Sequence, residues 1–128
     1  MTPFVLVDDL DPPIRAMLDA TNAGDSQSFL DAFADDATIV DWGRTFTGRE
    51  EIARWNDGEN IGVQSHIDVT GVERSGSTVT IGVAVTGDGY NGGGSFVFEL
   101  AGDRIARLAS IHRWVSGVLS GRKRRMTS

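Results

Sequence analysis

The fold is decided by one continuous stretch, residues 22–41, which reads NAGDSQSFLDAFADDATIVD. Gly24 is placed to end one helix in a left-handed conformation, and Asp25 is placed to cap a second. That second helix carries an apolar stripe centred on Phe29. The pattern then changes to a β-strand, predicted from Thr38 to Trp42, since three β-branched residues stand at 38–40. The stretch therefore predicts a helix–helix–strand unit.

The helices on either side follow from their capping residues. Asp11-Pro12-Pro13 starts the first helix, with Asp11 as N-cap and proline in the first turn, where its missing N–H costs nothing. Downstream, Thr47-Gly48-Arg49-Glu50 fits a capping box in which threonine and glutamate bond each other's backbone N–H groups. A short third helix follows, with Ile52 and Trp55 on one side.

From residue 61 onward the hydrophobic period falls to two, which predicts four strands. The last of them runs from about Arg104 to Val115. Because short turns join these strands, consecutive strands are expected to pair antiparallel. The order α-α-β-α-β-β-β-β predicts an α+β domain in which helices cover one face of a curved, mostly antiparallel sheet.

Length and charge limit the function classes. The chain has 128 residues, 18 acidic and 12 basic side chains, a net charge of −6 and no cysteine. This length favours a single domain, residues 1–128, with a core at about 10–115 and a basic flexible tail at 116–128. The absence of cysteine excludes disulfide scaffolds and zinc–thiolate sites. An acidic body disfavours nucleic acid as a partner, and no stretch predicts membrane insertion, so a cytoplasmic location is expected.

Two motifs resemble cofactor sites without their required context. Residues 87–92, GDGYNG, spell G-x-G-x-x-G, but a strand follows instead of the helix that a dinucleotide site needs. We expect a loop at the mouth of the sheet that can gate a pocket. His66 and Asp68 share the polar face of one strand, with no third ligand in view. The sequence thus predicts neither a cofactor nor a metal.

Three segments resemble a known group of proteins: residues 22–25, 33–41 and 48–52. They are similar to the ketosteroid isomerase and SnoaL-like polyketide cyclase families of the nuclear transport factor 2-like (NTF2-like) superfamily. The order of elements agrees over about residues 10–115. The resemblance implies a cone-shaped α+β barrel, also called a cystatin-like roll, with helices in the concave face of the sheet and a ligand cavity at the wide end.

By this resemblance Asp41 takes the position of the isomerase general base. Such a base needs partly apolar surroundings to remove a proton next to a carbonyl; the alternative is a turn or capping aspartate. Met17 and Gly94 stand where the isomerase has its two oxyanion donors, which argues against a steroid isomerase mechanism. The match turns His112 inward as a proton donor or orienting group, and the alternative is a core histidine bonded to a backbone carbonyl.

Large apolar side chains near the expected cavity are candidates for ligand contact, although the tryptophans equally suit core packing and the tyrosine an exposed loop. The candidate ligand-binding residues are Trp42, Trp55, Trp114, Met17 and Tyr90. Arg44 follows the Asp41 strand and has three alternatives: an ion pair with Asp41, a contact to a ligand carboxylate, or exposure in a loop.

Three functions remain open. The first is a cofactor-independent enzyme acting on a small apolar carbonyl or polyketide-like compound, with Asp41 and His112 as the acid/base pair. The second is a non-catalytic module that binds a small hydrophobic molecule in the same cavity. The third is an interaction module that uses the outer sheet face and the strip formed by His66 and Asp68. The resemblance also implies a homodimer through that face.

Overall fold

The structure, a computed structural model, describes residues 10–112, and of His112 only the backbone. It contains three α-helices and six β-strands within this range. The helices are α1 (Pro12–Ala23), α2 (Ser26–Asp31) and α3 (Gly48–Glu59). The strands are β1 (Phe33–Asp41), β2 (Arg44–Thr47), β3 (His66–Ser75), β4 (Thr78–Thr86), β5 (Gly92–Ala101) and β6 (Arg104–His112).

The boundary between α1 and α2 forms as the sequence predicts. Gly24 has φ +73°, and its N–H bonds back to the last turn of α1. Asp25 caps α2, since its carboxylate accepts the N–H of Ser28 at 3.1 Å. The predicted side-chain cap at Asp11 is wrong, because no cap hydrogen bond forms there. Asp11 instead pairs with Arg74 of β3, which joins the start of α1 to the sheet.

The first strand is longer than predicted, and a hairpin was missed. β1 begins at Phe33 instead of residue 38, because α2 is only six residues long. Trp42 does not extend the strand as predicted: Trp42 and Gly43 form a two-residue turn with φ values of +54° and +76°. Two positive φ angles match the twist of a tight hairpin. The chain therefore returns as β2, which pairs with β1 from Thr38 to Asp41.

The region around α3 differs from the prediction at both ends. At its start, the side chain of Glu51, and not that of Glu50, accepts the N–H of Thr47 at 2.8 Å. Beyond its end, Ile61–Val63 is a 3₁₀ turn, although its alternating pattern predicted a strand. Asn60 causes the difference, because its carbonyl accepts the N–H groups of both Val63 and Ser65 and so curls the chain.

The six strands form one curved sheet in the order β2-β1-β6-β5-β4-β3. The antiparallel pairing predicted for the four later strands is confirmed. β1, however, inserts between β2 and β6 and runs parallel to β6, which places Asp41 opposite Ser110. The first and last strands of the described region are therefore neighbours in the sheet.

The core lies between the helices and the concave face of the sheet. The predicted alternation in β4 is confirmed, with Val79, Ile81, Val83 and Val85 all buried. Ile14 and Met17 of α1, together with Phe29 of α2, are completely buried. Within residues 10–112, no helix combines the length and the hydropathy needed to cross a membrane.

Candidate functional site

A pocket of about 210 Å³ opens at the end of the sheet where β1 and β6 finish and α3 ends. Most of its lining is apolar, and the polar lining groups come from the ends of several elements. The lining residues are Asp41, Trp42, Trp55, Gly58, Glu59, Asn60, Val63, Ser65, Ile67, Val85, Gly89, Tyr90, Phe96, Leu108 and Ser110. The family resemblance implies a ligand cavity at the wide end of the fold, and this pocket is the candidate for it.

Asp41 is the last residue of β1 and contributes a buried carboxylate to the pocket, since the residue is only 4% exposed. Ile39, two residues earlier on the same face, is fully buried, so the strand carries the carboxylate into the apolar interior. Trp55 of α3 donates its indole N–H to Oδ2 of Asp41 at 3.0 Å. This hydrogen bond fixes the carboxylate relative to the helix.

Arg44 connects two acidic lining residues from the opposite side of the β1–β2 turn. Its guanidinium lies 2.5 Å from Oε1 of Glu59 and 3.6 Å from Oδ2 of Asp41. The hydrogen bond with Glu59 raises the pKa of Arg44 above its ordinary value. An arginine guanidinium is charged throughout the physiological range. Of the three alternatives for Arg44, the structure shows the pair with Asp41, supplemented by an unexpected partner in Glu59.

Trp42 and Tyr90 meet at the mouth of the pocket. Their ring centroids are 5.9 Å apart and the ring planes cross at 69°, an edge-to-face arrangement. Trp42 remains 46% exposed, whereas the Tyr90 ring is partly buried. The Tyr90 hydroxyl donates to the carbonyl of Gly93 at 2.7 Å, and burial raises the pKa of this phenol. Two predicted ligand residues are thus brought together.

The glycine-rich loop carries Tyr90 and leads directly into β5, so it is not followed by the helix N-terminus of a dinucleotide-binding motif. The Asn91 side chain holds the loop by bonding both the N–H and the carbonyl of Gly87, and also the carbonyl of Gly89. The N–H of Asp88 donates to the carbonyl of Val63 at 2.8 Å. The loop is therefore fastened to the 3₁₀ turn beside the pocket.

The remaining predicted site residues have different positions. Trp55 lines the pocket, but Met17 is completely buried within the hydrophobic core and is not part of the lining. The backbone of His112 pairs with Gly94 at the end of β6, two residues beyond Ser110. The side chain of His112 and the whole of Trp114 lie outside the described residues.

Several polar residues that line the pocket were not identified from the sequence, and Asn60 is one of them. Asn60 is 4% exposed and donates to Asn56 at 2.9 Å and to Thr21 at 3.2 Å. Asn56 is fully buried and also contacts Ser26, so the network joins all three helices under the pocket. The available signal was the four-residue spacing of Ile52, Asn56 and Asn60, which places Asn56 on the buried face of α3 and Asn60 directly after its end.

No group of three potential metal ligands occurs in the part of the chain between residues 10 and 112. His66 and Asp68 lie 3.4 Å apart on the exposed face of β3, away from the pocket, as their alternation predicts. Among the described residues, the lining of the pocket offers a bound molecule the carboxylate of Asp41 and mainly apolar contacts.

Comparison with known proteins agrees with this architecture. A model of the SnoaL-like domain matches residues 14–108. A search of curated proteins gave no match. Among solved structures, a candidate polyketide cyclase from Sinorhizobium meliloti is 23% identical, with a TM-score of 0.76 over 83% of this chain and 99% of that chain.

Two further solved structures share the fold at lower identity. A candidate ketosteroid isomerase from Kribbella flavida is 18% identical, with a TM-score of 0.72 over 92% of this chain and 87% of that chain. A Mycobacterium tuberculosis protein, solved with estradiol-17β-hemisuccinate, is 14% identical, with a TM-score of 0.68 over 77% and 88%. The matched domain and the shared NTF2-like fold lead to one conclusion: the chain belongs to the SnoaL-like domain family.

Proposed function

We propose that this protein is a cofactor-independent acid/base enzyme, of the isomerase, cyclase or dehydratase type, that acts on a small apolar carbonyl compound. The observation that carries the proposal is the Asp41 carboxylate, 4% exposed, at the wall of a largely apolar pocket. A positioned carboxylate in such a pocket is equipped to remove a proton next to a carbonyl group. Asp41 is the general base in this proposal.

His112 is the proposed second group. The backbone position of His112 supports this role, because it lies at the end of β6, two residues beyond the lining residue Ser110. An imidazole titrates near neutral pH and can pass a proton to the developing enolate. Asp41 pairs with Ser110 across the β1–β6 ladder, which keeps the two proposed groups at the same end of the sheet.

The charge of the lining supports an uncharged substrate. Asp41 and Glu59 both border the pocket, and Arg44 compensates one negative charge between them. A substrate carboxylate would meet the remaining negative charge, and like charges repel strongly where water is excluded. The proposal therefore favours a neutral ketone or aldehyde over an organic acid.

Hydrogen exchange with solvent tests the proposed base without knowledge of the final product. The protein is incubated in D₂O with a panel of small cyclic ketones, and deuterium incorporation next to the carbonyl is followed by NMR. We expect wild-type protein to accelerate exchange of at least one ketone and Asp41→Asn to reduce that rate at least 100-fold, in line with the usual contribution of a general base of about 10²–10⁴.

The matched control is Asp68→Asn, which neutralises an exposed carboxylate on β3. This variant is expected to exchange ketone hydrogens at the wild-type rate. If Asp41→Asn retains the wild-type exchange rate, Asp41 is not the base. If no ketone of the panel exchanges but one binds in the pocket, the protein is a binding module.

The binding module is a second candidate, and the contacts of Asp41 favour it. Oδ2 of Asp41 accepts from Trp55 and lies near Arg44, so part of the carboxylate is already committed to protein partners. The M. tuberculosis relative holds a steroid derivative, which illustrates that this fold can bind an apolar molecule. Mass spectrometry of a ligand recovered unchanged from the protein would support this alternative.

We also propose a homodimer formed through the outer face of the sheet. Val40, Ala109 and Val97 lie side by side across β1, β6 and β5 with half-buried side chains. Ile111, next on that face of β6, is 51% exposed. A contiguous apolar strip on a surface is typical of an interface.

Sedimentation velocity at micromolar concentration tests the dimer. Wild-type protein is expected to sediment as a dimer, and Ile111→Asp is expected to sediment as a monomer, because an unpaired carboxylate would be buried in the interface. Ser75→Asp, which adds a charge at the exposed end of β3, is the control and is expected to remain dimeric. A monomeric wild-type protein would exclude the proposed interface.

A further inference from the structure

The turn that carries Trp42 is unusual for its sequence. Both central residues have positive φ, a geometry that asparagine, aspartate and glycine adopt most easily. A bulky side chain at φ +54° is a conformational outlier. Turn formation alone therefore does not account for tryptophan at position 42. What the residue adds is an indole ring that contacts Tyr90 at the mouth of the pocket.

Tyr90 lies on the glycine-rich loop, residues 87–92, which is held in place by hydrogen bonds and close packing. The side chain of Asn91 makes three hydrogen bonds to backbone atoms of Gly87 and Gly89. A Cβ at Gly89 would lie 2.9 Å from Cγ2 of Val63, so the loop already packs as closely on the 3₁₀ turn as a glycine permits. Both rings at the mouth of the pocket thus stand on tightly constrained backbone.

The pocket behind these two rings is small. Its volume of about 210 Å³ lies below the roughly 300–1,000 Å³ that is usual for sites that hold drug-sized ligands. Val85 and Phe96 from β4 and β5, together with Leu108 from β6, line the inner wall from strands of the sheet, which resists expansion. A ligand too long for the pocket would therefore extend away from this wall, towards the Trp42 and Tyr90 rings.

We propose that the Trp42–Tyr90 pair determines ligand size and restricts this pocket to compounds of about one ring. The inference rests on the proposed function, to which it adds a substrate class: a monocyclic, uncharged carbonyl compound, not a fused-ring one. Trp42 and Tyr90 are specificity-determining residues in this assignment. The exposed half of the Trp42 ring forms the outer side of the barrier.

A series of ketones of increasing size tests the assignment. The probes are cyclohexanone, 2-decalone and progesterone, and their dissociation constants are measured by ligand-observed NMR on wild-type protein, Trp42→Ala and Tyr90→Ala. Wild-type protein is expected to bind cyclohexanone in the pocket and to exclude progesterone. Trp42→Ala and Tyr90→Ala are each expected to strengthen progesterone binding at least tenfold, with a smaller gain for 2-decalone.

Phe46→Ala is the matched control, because it removes an aromatic ring from the same β1–β2 hairpin but outside the pocket lining. This variant is expected to keep the wild-type size limit. Wild-type protein that binds progesterone as tightly as Trp42→Ala would overturn the proposal. Failure of both Trp42→Ala and Tyr90→Ala, once each is shown to be folded by circular dichroism, to bind any larger ketone would overturn it equally.

Different results would contradict the proposed size limit and the proposed catalysis. Binding is measured again in Asp41→Asn, in which turnover is removed but the two rings remain. A preserved size limit without any ketone exchange in wild-type protein would exclude the enzyme and leave the size assignment standing. Ketone exchange that extends to progesterone in wild-type protein would exclude the size assignment and leave the enzyme standing.

Discussion

The two carboxylates of the pocket, Asp41 and Glu59, differ in how their partners hold them. Asp41 accepts from a neutral indole N–H, which orients the group without adding charge, whereas Glu59 has a direct guanidinium partner. The guanidinium of Arg44 lies 3.6 Å from the carboxylate of Asp41 and 2.5 Å from that of Glu59, a difference of 1.1 Å. Asp41 therefore has the longer ionic contact of the two carboxylates, and its hydrogen bond comes from the neutral indole.

Tyr90 offers a direct spectroscopic test, since it is the only tyrosine of the chain. Burial raises its pKa above the ordinary value of 10.0. An alkaline titration followed by phenolate absorbance is therefore expected to show one transition with its midpoint above pH 10. A group with a raised folded-state pKa contributes stability that is present below pH 10 and is lost as the pH rises through the folded-state pKa.

The control is the same titration in concentrated denaturant, where the midpoint is expected to return to about 10. Equal midpoints in folded and unfolded protein would mean that Tyr90 is not buried at the mouth of the pocket. Circular dichroism during the titration establishes that the transition is observed in folded protein.

At the scale of secondary-structure elements, the junction between α3 and β3 forms one part of the pocket lining. The 3₁₀ turn Ile61–Val63 folds back onto α3, and it contributes Val63 to the lining. A Cβ at Gly62 would lie 1.5 Å from the carbonyl oxygen of Asp57, a distance that no side chain can occupy. At Gly58, inside the helix, a Cβ would meet nothing within 4 Å.

These two glycines give opposite predictions for stability. Gly62→Ala is expected to lower the free energy of unfolding by about 1–3 kcal/mol, because backbone must move to relieve the contact. Gly58→Ala is expected to raise it by about 0.5–1 kcal/mol, since alanine is the better helix former. Urea denaturation of both variants measures the difference. Equal stabilities would show that the chain does not turn back at Gly62.

The sequence correctly predicted the features that depend on interactions between residues close together in the chain. The Gly24–Asp25 boundary is confirmed because a left-handed glycine and a capping aspartate act within a few residues. β2 was missed because its turn uses Trp42, which carries none of the usual turn signals. The strand predicted at Ile61 is wrong because Asn60, a residue outside the alternating run, determines the path of the chain.

At the scale of the whole molecule, the pocket is assembled from segments far apart in sequence. The family resemblance singled out Asp41, but its partner Trp55 comes from α3. Glu59, also of α3, and Ser110 of the last strand line the same pocket. Periodicity assigns each of these residues to a face of its own element. It contains no information on the distance between elements, which is why the Arg44–Glu59 pair and the buried amide network became visible only in three dimensions.

The parallel pairing of β1 with β6 also bears on how the protein is made. During translation, β1 leaves the ribosome with β2 on one edge, while its other edge waits for a strand synthesised about seventy residues later. An unpaired strand edge is a template for aggregation. Until synthesis reaches β6, this edge of β1 therefore lacks its native partner strand.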